Sequence, residues 1–328
     1  MFWFWAPEAV DHLEIAAFYS LATGAGYLLM RRFRVSSPWS LLLVSPVVAY
    51  VVEGVITPVM YTGGPMIPVF PAWFAFWHGV LAFAGLVFGL RRLLLDRAIG
   101  ALAAVAVGLG LFWGTWSSTL RLPENVNDEE LIADLGQLTV LEPGGFGAYV
   151  VVFTAILIAS HWLISFVWPE PEPVRTRPSQ VVRGGEWLVG LLCLAGATGW
   201  TFVIPWALPM FLAYVGLQVA GLRWYRDRMS APLPPTLLDQ LGGRVSVISL
   251  APLALMAPVA AGTYAVIWAL DPSDIALRVV MYTVIAVQGV AGFVVTVMAL
   301  RRARRTSGSA AVGDALRGAE QLATQDLA

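Results

Sequence analysis

The sequence predicts an all-α, polytopic integral membrane helix bundle with about nine transmembrane helices, its N-terminus outside and its C-terminus cytoplasmic. The first observation behind this prediction is composition: of 328 residues, 58% are hydrophobic and only 12% are charged, and the mean hydropathy is +0.74. A soluble domain usually has about 25% charged residues, so most of this chain needs lipid as its solvent. The other observations are the apolar runs and the distribution of the arginines.

Nine runs are long and apolar enough to cross a bilayer, which takes about 20 residues per helix. In chain order they cover about 14–30, 38–61, 68–90, 98–118, 146–168, 186–204, 205–222, 246–270 and 278–300. Little more than Pro205 separates the sixth run from the seventh. These two runs therefore form either a tight hairpin or one broken pair.

The arginines cluster at alternate ends of these runs. With nine spans and an outer N-terminus, all of the 20 arginines except Arg121 and Arg278 fall on the cytoplasmic side. Cytoplasmic loops of membrane proteins carry an excess of basic residues. The alternation therefore predicts the span count, the orientation and a location in the cell membrane, with a bacterial plasma membrane favoured.

A Pro-rich segment divides the chain into two predicted membrane halves. Residues 1–168 contain spans one to five and the candidate site, and residues 186–305 contain spans six to nine. Between them, residues 169–185 include a Pro-Glu-Pro-Glu-Pro run that is typical of a stiff linker. Residues 306–328 are small and polar, which predicts a cytoplasmic tail that is disordered or forms a surface helix.

Composition also excludes several kinds of chemistry. Every basic residue is an arginine, so no lysine can form a Schiff base or complete a P-loop. A single cysteine excludes intrachain disulfides, and the three histidines form no metal-binding motif. The net charge of −1 gives no attraction to nucleic acid. We expect no metal, no cofactor and no nucleic acid. The expected partners are membrane lipids and an apolar small molecule, in an oligomeric state that is left open.

Ionisable residues inside lipid are costly, so each one is a candidate functional residue. The interiors of spans six to nine contain none. Spans one to five contain Glu53, His78 and His161, and Glu14 lies at the outer entrance of span one. His161 forms an i, i+4 pair with Ser165 in the inner half of span five, which favours a structural hydrogen bond over a site.

Glu53 lies on a polar face of span two. The residues that follow i, i+3, i+7 and i+11 spacing, and therefore share one face of a helix, are Tyr50, Glu53, Thr57 and Tyr61. Pro58 has no N–H to donate to the carbonyl of Gly54. This leaves a free acceptor beside the carboxyl group and predicts a kink in the helix.

His78 on span three has the same predicted depth as Glu53, about 12–15 Å below the outer surface at ~1.5 Å per residue. A short loop joins the two spans, so we expect the two side chains to meet. A carboxylate fixes the tautomer of an imidazole, and such a pair is suited to general acid/base chemistry. Glu53 and His78 are therefore the predicted catalytic residues. A hydrogen bond that merely locks the two helices together is the alternative.

Aromatic side chains near this pair predict an apolar substrate. Most of the tryptophans fit an interfacial belt, but Trp77 and Trp113 lie deeper than a belt requires. The predicted substrate-binding residues are Tyr50, Thr57, Tyr61, Trp73, Trp77, Trp113 and Glu14.

Three functions are compatible with these features. The favoured one is a membrane enzyme or binding protein for an apolar lipid or isoprenoid-like substrate. A secondary transporter for a small or apolar solute fits the helix number and the prolines, but the ionisable residues do not continue through spans six to nine. A non-catalytic membrane subunit or assembly factor needs only close helix packing.

Overall fold

The computed structural model describes residues 9–61, 69–119, 141–167, 180–226 and 236–325, with their side chains from residue 17 to residue 304 except at 69–70 and 180–183. All regular structure in these ranges is helical. The α-helices are α1 (Ala9–Phe33), α2 (Pro38–Val51), α3 (Val69–Phe74), α4 (Leu90–Leu95), α5 (Ile99–Ser118), α6 (Pro143–Val167), α7 (Gln180–Thr201), α8 (Ala207–Arg226), α9 (Leu237–Gln240), α10 (Val247–Leu250), α11 (Met256–Leu270) and α12 (Asp274–Gln325). The π-helical segments are Val52–Ile56 and Ala75–Gly89, and the 3-10 turns are Val59–Tyr61 and Ala251–Leu255.

Six stretches of helix are long and apolar enough to cross a membrane: Pro38–Ile56, Pro71–Leu95, Ile99–Ser118, Pro143–Val167, Val247–Leu270 and Asp274–Arg304. For the residues that the structure describes, this confirms the prediction of an all-helical chain with several helices long and apolar enough to cross a membrane. The stretch that begins at Pro38 is 78% buried, whereas the other five are 22% to 39% buried. The helix that carries Glu53 is therefore the most enclosed of the six.

A tight turn joins α7 to α8. The N–H of Ile204 donates to the carbonyl of Trp200 at 2.7 Å, and the N–H of Ala207 donates to the carbonyl of Ile204 at 2.9 Å. Pro205 has no N–H and cannot continue α7. Of the two arrangements that the sequence leaves open for the sixth and seventh runs, the structure has the hairpin.

The chain divides into two compact units, each built from three segments. The first unit contains residues 1–17, 86–172 and 241–287, and the second contains residues 18–85, 173–240 and 288–328. Each unit therefore takes segments from both predicted halves of the chain.

The two predicted polar segments of the chain are only partly described. Positions 169–179 of the predicted linker lie outside the described residues, and α7 begins at Gln180. Helix α12 continues to Gln325 and so includes most of the predicted tail.

In the first unit, helices α5, α6 and α11 pack around a core of large aromatic side chains. Trp113, Phe146 and Tyr264 are each 2% exposed. Gly114 permits the close approach of α5 and α11, because a Cβ at this position would lie 2.5 Å from the carbonyl oxygen of Ala260. The hydroxyl of Tyr264 donates to the carbonyl of Leu141 at 2.7 Å and fixes the start of α6.

A second set of buried contacts in this unit is formed by Arg91 on α4. It is 2% exposed, and its guanidinium donates to the carbonyls of Gly243 at 2.6 Å and His161 at 2.7 Å and to Ser165 Oγ at 3.2 Å. Ser165 Oγ also lies 3.3 Å from the His161 carbonyl, to which it donates, and accepts from the N–H of Val245 at 3.1 Å. Ser165 thus bonds to the backbone carbonyl of His161 and not to its imidazole, as part of a buried network that joins α4, α6 and the chain after α9.

In the second unit, α2 is surrounded by its neighbours. A capping box starts the helix: the N–H of Ser40 donates to Ser37 Oγ, and the N–H of Ser37 donates to Ser40 Oγ, both at 3.2 Å. Pro38 occupies the first turn, where its missing N–H costs nothing. Helix α8 packs along α2, and a Cβ at Gly221 would lie 3.2 Å from Leu43, so the glycine permits this close contact.

Candidate functional site

Helix α2 ends in a π-helical turn that contains Glu53. The N–H of Thr57 donates to the carbonyl five residues earlier, that of Val52, at 3.0 Å, and Thr57 itself is extended, with φ −119° and ψ 147°. A residue that precedes proline is disfavoured in the helical conformation, so Pro58 ends the helix at Ile56. The expectation of one kinked helix that continues to Tyr61 is therefore wrong.

Tyr61 takes the place of the backbone donor that Pro58 lacks. Its hydroxyl donates to the carbonyl of Gly54 at 2.7 Å. A Cβ at Gly54 would lie 2.9 Å from this hydroxyl and would collide with the sulfur of Met60. Glycine at this position therefore allows the chain to fold back after α2. The free carbonyl predicted from Pro58 is satisfied by the side chain that follows it.

Thr57 also remains next to Glu53 although the helix has ended. Its hydroxyl lies 3.1 Å from Glu53 Oε2 and donates to it, and it lies 3.2 Å from the carbonyl of Val52 as a second acceptor. Of the polar side chains predicted to share a face with Glu53, Thr57 bonds to its carboxyl group, by a different backbone path.

His78 lies in the π-helical segment Ala75–Gly89, which runs beside α2. Gly79 makes this possible, because a Cβ there would lie 2.5 Å from the carbonyl oxygen of Ser45 and 2.7 Å from its carbon. The backbones of the two helices touch at this point. Glu53 and His78 both lie in π-helical segments, a rare geometry that often occurs at functional sites.

The side chains of Glu53 and His78 are in contact, as their matching depths predict. His78 Nδ1 lies 2.7 Å from Glu53 Oε1, and the side chains are 6% and 0% exposed, respectively. This separation lies within hydrogen-bonding range. Neither atom has a hydrogen-bond partner of ordinary geometry within the described residues, so the contact is chiefly electrostatic.

Aromatic rings enclose the imidazole of His78. Phe74 lies nearly parallel to it, with an interplanar angle of 10°, and Tyr19 presents its edge at 81°, both with ring centroids 6.2 Å away. Trp77 lies at the same distance with an angle of 54°. These rings keep the pair in a low-dielectric environment, where its electrostatic interactions are strong. Within the described part of the chain, His78 Nε2 has no hydrogen-bond partner.

Two of the predicted substrate-binding residues lie in the second unit but have other partners. Tyr50 faces Tyr214 of α8, with ring centroids 5.4 Å apart. The indole N–H of Trp73 donates to Gln288 Oε1 on α12 at 2.8 Å. Trp77 alone among the predicted tryptophans has a ring contact with His78 in the ranges that the structure describes.

The structure describes the side chain of only one of the remaining two predicted binding residues, Trp113. Trp113 belongs to the first unit, where it packs edge-on against Phe146 and Tyr149, each with ring centroids 6.3 Å away. Glu14 lies on α1, but its side chain is outside the described residues.

The sequence interpretation missed Tyr19, Phe74 and Gln288. Phe74 precedes His78 by four residues, so helical spacing contains a signal for this neighbour. Gln288 is a polar residue inside an apolar span, which also marks it as a contact residue. Nothing in the sequence links Tyr19 on α1 to His78, because that contact depends on how two separate helices pack.

The chemistry that this cluster supports is proton exchange. Across the described ranges, no group of three or more His, Cys, Asp or Glu side chains is placed to hold a metal ion. The carboxyl and imidazole groups can instead share one proton and pass it to a third group. Glu53 Oε2 is held by Thr57, which leaves the imidazole as the adjustable partner.

The fold and the site thus define a chain with several membrane-length helices and a buried Glu–His pair. No protein-family model, no curated protein and no solved structure matches it. The functional conclusions below are therefore drawn from the geometry of the site.

Proposed function

We propose that the chain is a multi-pass cell-membrane protein whose Glu53–His78 pair exchanges protons with an apolar lipid or isoprenoid-like substrate, as an enzyme or binding protein. The observation that carries this proposal is the 2.7 Å approach of His78 Nδ1 to Glu53 Oε1 in a buried setting. Ionisable groups are expensive to bury, and apolar side chains of similar size usually replace such a pair without loss of stability. A role in proton transfer gives a reason to keep them.

The surroundings of His78 support an apolar substrate. Phe74, Trp77 and Tyr19 present uncharged aromatic surfaces to the imidazole. Such surfaces favour hydrocarbon or conjugated ligands.

Nine membrane crossings, with the N-terminus outside and the C-terminus in the cytoplasm, complete the proposal. Besides the six apolar stretches, α1, α7 and α8 have 25, 22 and 20 residues. At ~1.5 Å per residue each of these three reaches about 30 Å, the thickness of a bilayer core. The count of nine and the alternation of arginines then agree with each other.

Proton exchange with a lipid can be tested without knowing the substrate. The purified full-length protein is incubated in D2O with lipids extracted from the membranes of the expressing cells, and the lipids are analysed by mass spectrometry. A lipid whose carbon-bound hydrogens exchange through the site is expected to gain deuterium. Glu53→Gln, which cannot act as an acid, is expected to abolish this labelling.

The control is Glu142→Gln, the same change at an exposed glutamate. It should leave the labelling intact. His78→Gln provides a second variant if Glu53→Gln does not fold. An absence of any labelled lipid with the wild-type protein contradicts the proposal. Labelling that survives Glu53→Gln, with only a lower melting temperature, assigns the pair a purely structural role.

A further inference from the structure

Both carboxyl oxygens of Glu53 already have partners within the protein. Its Oε1 faces His78 Nδ1 at 2.7 Å, and its Oε2 accepts from Thr57 at 3.1 Å. The side chain is 0% exposed. A ligand therefore has no direct approach to the carboxyl group that does not first displace a neighbour.

The second ring nitrogen of His78, Nε2, does not contact Glu53. Nε2 lies on the side of the ring away from Glu53 and is buried, and among the described residues nothing bonds to it. An unpaired buried polar atom of this kind lowers the stability of the protein unless a ligand bonds to it. The residue is 5% exposed, and two of the rings around it, Tyr19 and Trp77, are partly exposed. Nε2 is therefore the atom of the pair to which a ligand can bond without breaking the contact between Glu53 and His78.

The proton count of the pair determines what Nε2 offers to a ligand. In a low-dielectric environment the pair is most stable with no net charge. Two arrangements satisfy this: a carboxylate beside an imidazolium, or a carboxylic acid that donates to Nδ1 of a neutral imidazole. Nε2 carries a hydrogen in both. In the pair without net charge, the ligand atom that faces Nε2 is therefore a hydrogen-bond acceptor.

We propose that the Nε2–H of His78 is the group that touches the ligand, and that this ligand is an apolar lipid with one acceptor oxygen, in a hydroxyl or carbonyl group. Glu53 then acts as a positioning residue through His78, although the sequence analysis predicts both as catalytic residues. This inference rests on the proposed function and names its substrate class.

Proton transfer by this arrangement is balanced within the site. The N–H bond at Nε2 breaks and a new O–H bond forms on the ligand oxygen. In the acid form, the proton of Glu53 moves to Nδ1 at the same time. The products are a carboxylate, a neutral imidazole and a ligand with one positive charge, so the total charge is unchanged. No oxidant or reductant takes part.

The test uses NMR of the full-length protein, labelled with [15N]histidine and placed in lipid nanodiscs. The chain has only three histidines, so His78→Gln and His161→Asn assign the signals. The probes are farnesol, farnesal and farnesene, which share a carbon skeleton and differ in the oxygen. Because the chain has no lysine, the aldehyde of farnesal cannot form a Schiff base with a lysine side chain.

Farnesol and farnesal are expected to shift the Nε2 signal of His78, and farnesene is not. His161 serves as the internal control and should not respond. Glu53→Gln is expected to change the tautomer reported by the two His78 nitrogens and to weaken farnesol binding about tenfold, the loss of one ordinary hydrogen bond. Glu142→Gln should change neither.

The remaining outcomes contradict the inference, the proposed function or both. An equal response to farnesene, or farnesol binding that survives His78→Gln, overturns the inference. If lipids are labelled from D2O in a Glu53-dependent manner but none of the probes shifts Nε2, the inference fails and the proposed function stands. If labelling and shifts are both absent, both proposals fail.

Discussion

At the scale of single residues, the hydroxyl of Tyr61 is the feature that stabilises the chain next to Glu53. It donates to the Gly54 carbonyl, to which Pro58 cannot donate because proline has no N–H. Tyr61→Phe removes the donor and leaves a buried carbonyl unpaired, so the free energy of unfolding should fall by about 1–3 kcal/mol. Thermal or denaturant unfolding in detergent measures this change.

Tyr27→Phe is the matched control for Tyr61→Phe. Tyr27 is 39% exposed, and its hydroxyl accepts only from Arg31, four residues later on the same helix. An exposed change of this kind usually alters stability by less than about 0.5 kcal/mol. Equal effects of the two substitutions would show that the hydroxyl of Tyr61 contributes nothing specific.

The contact between Glu53 and His78 is predictable from the sequence because the rise of a helix is fixed. Counting residues from the short loop places both groups at one depth, and the side chains meet at 2.7 Å. The partners of Trp73 and Tyr50 on α12 and α8 are not predictable in this way. Those contacts depend on which distant helices become neighbours, and no local spacing contains that information.

At the scale of helices, Gly79 determines how closely the His78 segment approaches α2. A Cβ there would lie 2.5 Å from the Ser45 carbonyl oxygen, which is backbone and cannot turn aside. Gly79→Ala should therefore push the two helices apart, lower stability by about 1–3 kcal/mol, and alter the Nδ1 signal of His78. Unfolding in detergent and [15N]histidine NMR measure the two effects.

Gly24→Ala is the control for the helix approach. It makes the same change on α1, where an added Cβ would meet nothing within 4 Å. Because alanine favours a helix over glycine by about 1 kcal/mol, this variant should be as stable as the wild type or more so. A Gly79→Ala protein with unchanged stability and an unchanged His78 signal would contradict the close backbone contact.

The sequence predicts that the segments Val52–Ile56 and Ala75–Gly89 are helical, but it does not distinguish a π-helix from an α-helix. In Ala75–Gly89 nearly every residue is apolar, so no polar residue reveals whether side chains repeat every 3.6 residues or at the longer period of a π-helix. Arginine counts have a similar limit. Arg91 contributes to the predicted topology, yet its side chain is buried and bonded to backbone carbonyls in the first unit.

At the scale of the whole molecule, the number of membrane crossings is the testable property. The six apolar stretches alone place the loops at 64 and 272 on one side and residue 230 on the other. Nine crossings give the same result for these three positions. The turn between α7 and α8 separates the two topologies, because it reaches the outer side only if both helices cross the membrane.

Cysteine labelling of intact cells therefore uses four single-cysteine variants in a Cys193→Ala background. With nine crossings, Gly64→Cys, Pro272→Cys and Val203→Cys should react with an impermeant maleimide, and Ser230→Cys should react only after permeabilisation. Val203 is 75% exposed, so an accessible cysteine there is not hidden by packing. Labelling at 64 and 272 without labelling at 203 would show that α7 and α8 do not cross the membrane. Labelling at 230 alone would reverse the orientation and place the Glu53–His78 pair nearer to the cytoplasmic surface.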